Sequence, residues 1–157
     1  MVFITLGTQD KAFPRLLNEV DELIENGLIE DSVVAQIGST KYSSENMQIF
    51  KYMEREDLLD YIENSEYIIC HAGVGTIIDS LNRNKRVIAV PRLKKYKEHV
   101  NDHQIEIVKE FSKMGLIIDG SKDLAKAIAK VKYFKPKKYK SNTKNFISII
   151  EDFIENK

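Results

Sequence analysis

The stretch CHAGVGTIID, residues 70–79, combines residue types that can hold an anion at the start of a helix. Gly73 and Gly75 let backbone amides approach a ligand closely, and Thr76 adds a hydroxyl where a helix is expected to begin. Exposed N–H groups and the helix dipole favour a phosphate or diphosphate there. The spacing fits neither a P-loop, which needs a following Gly-Lys-Ser/Thr, nor the dinucleotide fingerprint, which needs a third glycine. A tight structural turn explains the same residues equally well, so this loop alone leaves both interpretations open.

A second polar cluster lies in PRLKKYKEHVNDHQIE, residues 91–106. Its hydrogen-bonding side chains are concentrated in Glu98, His99, Asn101, Asp102, His103 and Gln104. Such a concentration suits a polyhydroxy ligand such as a sugar, although Asn101 or Asp102 could be only a helix cap. Asp79, three residues past Thr76, could accept hydrogen bonds from ribose hydroxyls. It could equally be an aspartate that the helix dipole favours in a first turn.

Two other chemistries deserve a test against the same residues. His99 and His103 are four apart, which allows a two-histidine metal site, but no third ligand is evident nearby and His71 lies on a different loop. Cys70 could form a Cys-His nucleophile, but it ends an apolar run where a buried, inert thiol is the better interpretation. The sequence therefore predicts neither a metal site nor a cysteine nucleophile.

Alternating strands and helices must position these clusters. Strands are expected at 2–6, 32–38, 46–50, 66–70, 86–91 and 115–119, and helices at 13–24, 55–65, 76–84, 101–114 and 123–131. This alternation predicts a parallel sheet covered on both faces. Ligands of such sheets bind beyond the carboxyl ends of the strands. That rule selects Gly7-Thr8, the loop from His71 to Gly75, and the segment after Pro91.

Composition agrees with one soluble domain. The chain has 157 residues, 43% of them hydrophobic and 31% charged, which is enough for a substantial core. Lys+Arg and Asp+Glu both number 24, so overall charge predicts no nucleic-acid partner. With one cysteine, no apparent secretory signal and no apolar run near the ~20 residues that span a bilayer, we expect a cytoplasmic protein.

The last part of the chain differs from the rest, so we expect a domain boundary between 1–130 and 131–157. Residues 130–144 carry seven lysines and no acidic residue, which predicts a basic connector with affinity for an anionic membrane surface. Beyond it an apolar stripe at helical spacing is formed by Phe146, Ile149, Ile150, Phe153 and Ile154. This amphipathic helix either packs on its own domain or docks onto a partner chain.

Taken together, the two clusters resemble the C-terminal, donor-binding domain of family 28 glycosyltransferases. The shared pattern is H-x-G-x-G-T, an acidic residue one turn on, a strand ending in Pro-Arg, and E-H-x-x-x-H-Q, in this order. FITLGT, residues 3–8, is similar to the first strand and loop of that domain. The resemblance covers residues 2 to about 120. It implies a single Rossmann-like α/β domain with a parallel sheet, the C-terminal half of a GT-B fold, and no cofactor.

The resemblance also implies a role for each matching residue. A UDP-sugar diphosphate would contact Gly73, Gly75 and Thr76, with His71 at the loop entrance in a catalytic role, and Asp79 would hold the ribose. The donor sugar would contact His103 and Gln104, in a site lined by Glu98 and Asn101. The uracil would meet the backbone near Tyr52 and Met53, and Gly7 and Thr8 would face the cleft toward the acceptor. No residue is identified as the base that deprotonates the acceptor hydroxyl.

The resemblance is closest to short versions of this domain, from eukaryotic lipid-linked oligosaccharide synthesis and from bacterial exopolysaccharide and capsule assembly. It implies an inverting, metal-independent hexosyltransferase that moves a sugar from UDP to a lipid-linked glycan. A membrane-anchored subunit would bind the acceptor and recruit this chain to the cytoplasmic membrane face. One alternative is an accessory subunit that binds a nucleotide sugar without catalysis. Another, a flavodoxin-like signalling domain, is disfavoured because no acidic cluster ends the first strand.

Overall fold

The computed structural model describes residues 1–139, which form a six-stranded sheet flanked by five helices. The strands are β1 (Val2–Thr5), β2 (Val33–Gln36), β3 (Gln48–Phe50), β4 (Tyr67–His71), β5 (Arg86–Val90) and β6 (Ile118–Asp119). The α-helices are α1 (Pro14–Glu25), α2 (Arg55–Glu63), α3 (Val74–Asn82), α4 (His103–Lys113) and α5 (Leu124–Val131). A single 3-10 turn, Lys94–Tyr96, follows β5.

All strand pairs are parallel, in the order β3-β2-β1-β4-β5-β6. The chain winds outward from β1 to β3 and then returns to pair β4 on the other side of β1. Strand order therefore reverses between β1 and β4, and the loops that leave these two strands open a crevice at the carboxyl edge. The predicted Rossmann-like α/β fold with a parallel sheet is confirmed.

The core forms two layers because successive side chains of a strand point to opposite faces. In β1, Val2 and Ile4 pack with α1 and α5, whereas Phe3 packs with α2, α3 and α4. All four residues of β1 are buried, as expected for a central strand covered on both faces. This rigid centre fixes where the loops after β1 and β4 emerge.

Two element boundaries differ from the prediction at the functional loop. β4 extends to His71 because this residue pairs with Val90 of β5, so the histidine ends a strand instead of lying in the loop. Helix α3 begins at Val74, two residues before the predicted start, with Gly73 in extended conformation ahead of it. Gly75 and Thr76 therefore belong to the first helical turn.

The part of the basic connector within the described residues runs along the domain. Phe134 packs against one core layer and Tyr139 against the other, and the N–H of Lys137 donates to the carbonyl of Gly115 at 3.0 Å. The predicted amphipathic helix at 146–154 lies outside the described residues. Across residues 1–139, no helix combines the length and apolar character needed to traverse a bilayer.

Candidate functional site

The imidazole of His71 fills the space between two glycines at the carboxyl edge. A Cβ atom added to Gly7 would lie 2.4 Å from Nε2 of His71, and one added to Gly73 would lie 2.4 Å from Cε1. Gly7 also adopts φ +75°, a conformation that other residues rarely take. The loop after β1 and the loop after β4 thus approach each other only because both positions lack a side chain.

Gln104, at the start of α4, fixes the orientation of this imidazole. Its Oε1 accepts hydrogen bonds from the backbone N–H groups of Ala72 at 3.1 Å and Arg92 at 3.0 Å. Its Nε2 is then the group that lies 3.2 Å from Nδ1 of His71. An amide nitrogen can only donate, so Nδ1 accepts and the imidazole proton sits on Nε2. The histidine presents an N–H toward the gap between Gly7 and Gly73.

His71 is uncharged at neutral pH. Burial, followed by the charges of Arg92 and His99, lowers its pKa from 6.5 to about 3. The side chain is only 6% exposed, so water cannot compensate an imidazolium there. At this site His71 can act as a neutral hydrogen-bond donor, and not as a permanent cation.

The N-terminus of α3 opens next to His71. No side chain caps this helix, so the N–H groups of its first turn are available to a ligand. An added Cβ at Gly75 would meet no heavy atom within 4 Å, which places this glycine against open space. Thr76 is half-buried in the same turn. Such free amides at the positive end of a helix dipole have the chemistry to bind an anion.

Asp79, one turn further along α3, is paired with an arginine 24 residues earlier in the chain. Arg55, the first residue of α2, donates from Nη1 to Oδ2 at 3.2 Å and from Nη2 to Oδ1 at 3.0 Å. The Asp79 side chain is 18% exposed and that of Arg55 is 68% exposed. The carboxylate proposed for ribose binding is therefore held in place by a guanidinium on its solvent side.

A pocket of about 550 Å³ lies between the end of β3 and α2. It is lined by Phe50, Tyr52, Met53, Glu54, Asp57 and Tyr61, and so includes both residues predicted near the uracil. The hydroxyl of Tyr52 lies 2.9 Å from Oγ of Ser39. Gln36 connects this region to the first loop, because its Nε2 donates to the carbonyls of Lys51 at 3.0 Å and Gly7 at 3.3 Å.

Glu98 is buried in an ion pair. Its carboxylate accepts from Nε and Nη2 of Arg15 at 3.0 and 2.9 Å, and from the N–H of Leu93 at 3.0 Å. The side chain is 2% exposed. The Glu98 carboxylate therefore stabilises the segment after β5 from the protein interior. A sugar hydroxyl could not contact this carboxylate directly in the present conformation, because the side chain is buried.

Arg92 is a fully buried arginine under the first loop. Its guanidinium donates to the backbone carbonyls of Leu6, Lys11 and Glu98, and packs over the ring of Phe13. Burial lowers its pKa to about 10, partly offset by Glu98, so the side chain stays charged at neutral pH. Arg92 fastens the loop after β1 to the segment after β5.

The remaining polar residues of 98–104 form hydrogen bonds around the start of α4. Oδ1 of Asn101 accepts from the N–H of His103 at 3.0 Å in a turn just ahead of the helix, whose N-cap residue Asp102 makes no side-chain capping bond. His99 receives the N–H of Asn101 on Nδ1, and its Nε2 lies 3.0 Å from Nε2 of Gln9. Within residues 1–139 no three His, Cys, Asp or Glu side chains form a group suited to a metal ion.

Cys70 lies one residue before His71 but faces the core. It is fully buried, and burial raises its pKa to about 12, so the sulfur remains a thiol. This agrees with the interpretation of Cys70 as an inert core residue.

The structure thus brings the predicted residues together at one edge but gives them different surroundings. Gly7, His71 and Gly73 are in contact, Gly75 and Tyr52 are exposed, and Thr76 and Met53 are half-buried. Gln104 and Glu98 are buried and bonded within the protein. Thr8 is exposed beside this edge. Three arginines that hold these groups, Arg15, Arg55 and Arg92, were missed, although the Pro-Arg pair after β5 was a usable signal for the last.

A comparison with protein families identifies the family of this chain. A model described as glycosyltransferase family 28 C-terminal domain matches residues 1–156. The chain belongs to this family. The family 28 resemblance seen in the two clusters is thereby confirmed, and the match extends it beyond residue 120 to nearly the whole sequence.

Individual relatives and structures agree with this family 28 assignment. The UDP-N-acetylglucosamine transferase subunit ALG13 of Candida albicans is 33% identical over 81 residues, which cover 52% of this chain and 26% of that protein. The solution structure of ALG13 superposes with a TM-score of 0.55 at 21% identity, covering 96% of this chain and 92% of that one. The crystal structure of the glycotransferase of kitacinnamycin gives 0.59 at 15% identity, covering 99% and 39%. The two structures show that the fold is shared, and the domain is the C-terminal half of a GT-B fold.

Proposed function

We propose that this chain is the donor-binding, catalytic subunit of a glycosyltransferase that moves a sugar from a UDP-sugar to a lipid-linked glycan acceptor. The observation that carries the proposal is the uncapped N-terminus of α3 beside the N–H of a neutral His71. Family membership and the relatives named as UDP-N-acetylglucosamine transferase subunits support it. An acceptor-binding partner anchored in the membrane would complete the cleft, and would recruit the chain to the cytoplasmic face.

The chemistry requires charge to be stabilised on the departing UDP. As the bond from the sugar to the β-phosphate breaks, negative charge develops on the phosphate oxygens. The amides of Val74, Gly75 and Thr76 and the helix dipole would meet that charge, and Nε2–H of His71 would donate a further hydrogen bond. We propose that these fixed donors supply the stabilisation that a metal ion gives in other enzymes, so that the transfer is metal-independent; that it is inverting is what the family resemblance implies.

The rest of the donor would lie along the same edge. Asp79 would accept ribose hydroxyls, and the pocket at Tyr52 and Met53 would hold the uracil against the backbone. The sugar would extend toward Asn101 and His103 at the start of α4, over the buried Glu98 and Gln104. Gly7 and Thr8 would face the acceptor side.

A binding experiment tests the donor. Isothermal titration with UDP, UDP-N-acetylglucosamine, other UDP-sugars and GDP should show tighter binding of the uridine compounds. Thr76→Val, which removes a hydroxyl with little change in volume, should weaken UDP binding without changing the melting temperature. Preference for GDP would refute the UDP-sugar assignment.

A transfer experiment separates a catalytic subunit from an accessory one. Radiolabelled sugar incorporation into lipid-extractable glycan is measured in membranes of cells that carry each variant in place of the natural chain. His71→Gln should reduce transfer much more than it reduces UDP binding, because the imidazole N–H acts on the developing charge. Undiminished transfer by a folded His71→Gln protein would identify the chain as accessory.

A further inference from the structure

Arg55 and Asp79 connect α2 to α3 at the carboxyl edge through two parallel hydrogen bonds. This fork-to-carboxylate geometry is the most specific that an arginine makes. The carboxylate is largely covered, whereas the guanidinium is mostly exposed. The arginine therefore lies on the solvent side of Asp79, where a ribose that binds to this carboxylate would also lie.

The geometry leaves donors and acceptors free on both partners. A guanidinium has five N–H groups, and two point at Asp79. Among residues 1–139 the Arg55 side chain bonds Asp79 alone, and with 68% of that side chain exposed its other three N–H groups are open to solvent. A carboxylate has about four lone-pair sites, and Arg55 occupies two of them. Asp79 can thus accept ribose hydroxyls while it remains paired.

We propose that Arg55 is a nucleotide-binding residue of this site. It orients the carboxylate of Asp79 for the ribose hydroxyls and donates its outward N–H groups to the ribose and α-phosphate oxygens of the same nucleotide. The inference rests on the proposed function, because it requires a UDP group at the start of α3. It adds a positive side chain to a site whose other anion-binding groups are neutral amides and an uncharged His71.

The same two helices carry a second ion pair that serves as an internal control. Nε of Arg83, just past the C-terminal end of α3, lies 3.8 Å from Oε2 of Glu63, the last residue of α2. Nη1 of Arg83 also donates to the backbone carbonyl of Asp79 at 3.0 Å, so both arginines contact Asp79 but only Arg55 bonds its carboxylate. If these arginine pairs only stabilised the packing of the two helices, removing either guanidinium would change UDP affinity by a similar factor. If Arg55 binds the nucleotide, only its removal affects ligand affinity.

The test is isothermal titration of UDP and uridine into the wild type, Arg55→Ala, Arg55→Lys and Arg83→Ala, with a melting temperature for each. We expect Arg55→Ala to weaken UDP binding about 10- to 100-fold, the range for a hydrogen bond to a charged group. Uridine should lose less, since it lacks the phosphate. Lysine should restore part of the UDP affinity, because it keeps the charge but not the fork. Arg83→Ala should stay within about twofold of the wild type.

Two negative results have different meanings. If the wild type and Arg55→Ala bind UDP equally well, the role of Arg55 is refuted and the proposed function stands. A folded wild type that binds no UDP or UDP-sugar overturns the proposed function, and the role of Arg55 with it. Because Arg55 is exposed, its replacement should preserve folding, and Arg55→Lys provides a second reading if the alanine variant melts early.

Discussion

Nδ1 of His71 lies 3.2 Å from Nε2 of Gln104, and this contact joins the end of β4 to the start of α4. The side-chain oxygen of Gln104 also accepts hydrogen bonds from two backbone N–H groups. One side chain therefore sets the proton position of the proposed catalytic imidazole and closes the ends of two neighbouring strands. A substitution of Gln104 should therefore change both the stability of the fold and the catalytic activity.

Replacement of Gln104 by leucine should destabilise the fold. The change leaves two buried N–H groups, of Ala72 and Arg92, without their acceptor, at about 1–3 kcal/mol each. We expect the free energy of unfolding in urea to fall by about 2–6 kcal/mol. Gln48→Leu on the exposed edge strand is the control and should change it by less than about 0.5 kcal/mol. Equal stabilities would show that the amide is not needed for packing.

The stability of the protein should fall on acidification because of His71. Its pKa is about 3 in the folded state and 6.5 as a free side chain. Between these values the unfolded chain binds a proton that the folded chain does not, so stability rises with pH, at most by about 1.4 kcal/mol per unit. His71→Gln should remove this contribution. Urea unfolding of both proteins from pH 7 to pH 4 measures the difference, and parallel curves would contradict it.

Two alanine substitutions near the start of α3 should have different effects on the free energy of unfolding. In Gly73→Ala the new Cβ would lie 2.4 Å from a ring that Gln104 and Gly7 hold in place, so we expect a loss of about 1–3 kcal/mol. Gly75→Ala meets no atom and lies in a helix, so its stability should be equal or higher by up to about 1 kcal/mol.

Gly75→Ala should nevertheless weaken ligand binding. The methyl group of Gly75→Ala projects into the space where the diphosphate is proposed to approach, so UDP binding should weaken in a fully stable protein. Thermal melts and UDP titrations of the two variants check both statements. A stable Gly73→Ala protein would mean that the imidazole has room to move.

Arg92→Met should loosen the loop after β1. The substitution leaves the carbonyls of Leu6, Lys11 and Glu98 without their donor and should cost about 1–3 kcal/mol for each of them that stays buried and unpaired. Amide hydrogen exchange of residues 7–12 should accelerate. Arg86→Met, at the other end of β5, is the matched control because within residues 1–139 its side chain bonds one carbonyl, that of Lys132. Unchanged exchange in Arg92→Met would refute the role.

Much of the architecture could be predicted from periodicity. The apolar strands and the spacing of Phe13, Leu16, Leu17 and Val20 gave β1 and α1 within a residue or two, because burial on a strand or helix face requires those patterns. The placement of His71 in β4 could not be read locally, since it depends on pairing with Val90 of a strand that comes later in the chain.

The site could be predicted in part. Glycines at 73 and 75 and the acidic Asp79 marked the loop, because ligand approach and helix start depend on local residue types. The arginines did not stand out, because an arginine on a helix surface looks the same in sequence whether or not it meets a carboxylate. Arg55 meets Asp79 across 24 residues, and Arg15 meets Glu98 across 83. Only the tertiary fold reveals such pairs.

The imidazole between Gly7 and Gly73 makes these three positions of the sequence epistatic. An alanine at Gly73 would clash with a histidine at 71 and fits without that clash only beside a smaller residue there, whereas Gly7 must in addition satisfy φ +75°. A lineage that lost the histidine would thus be released from the glycine at 73 but not from the one at 7, and would regain the histidine without strain only after restoring Gly73. Diverged relatives that lack the histidine should therefore still carry the glycine at 7.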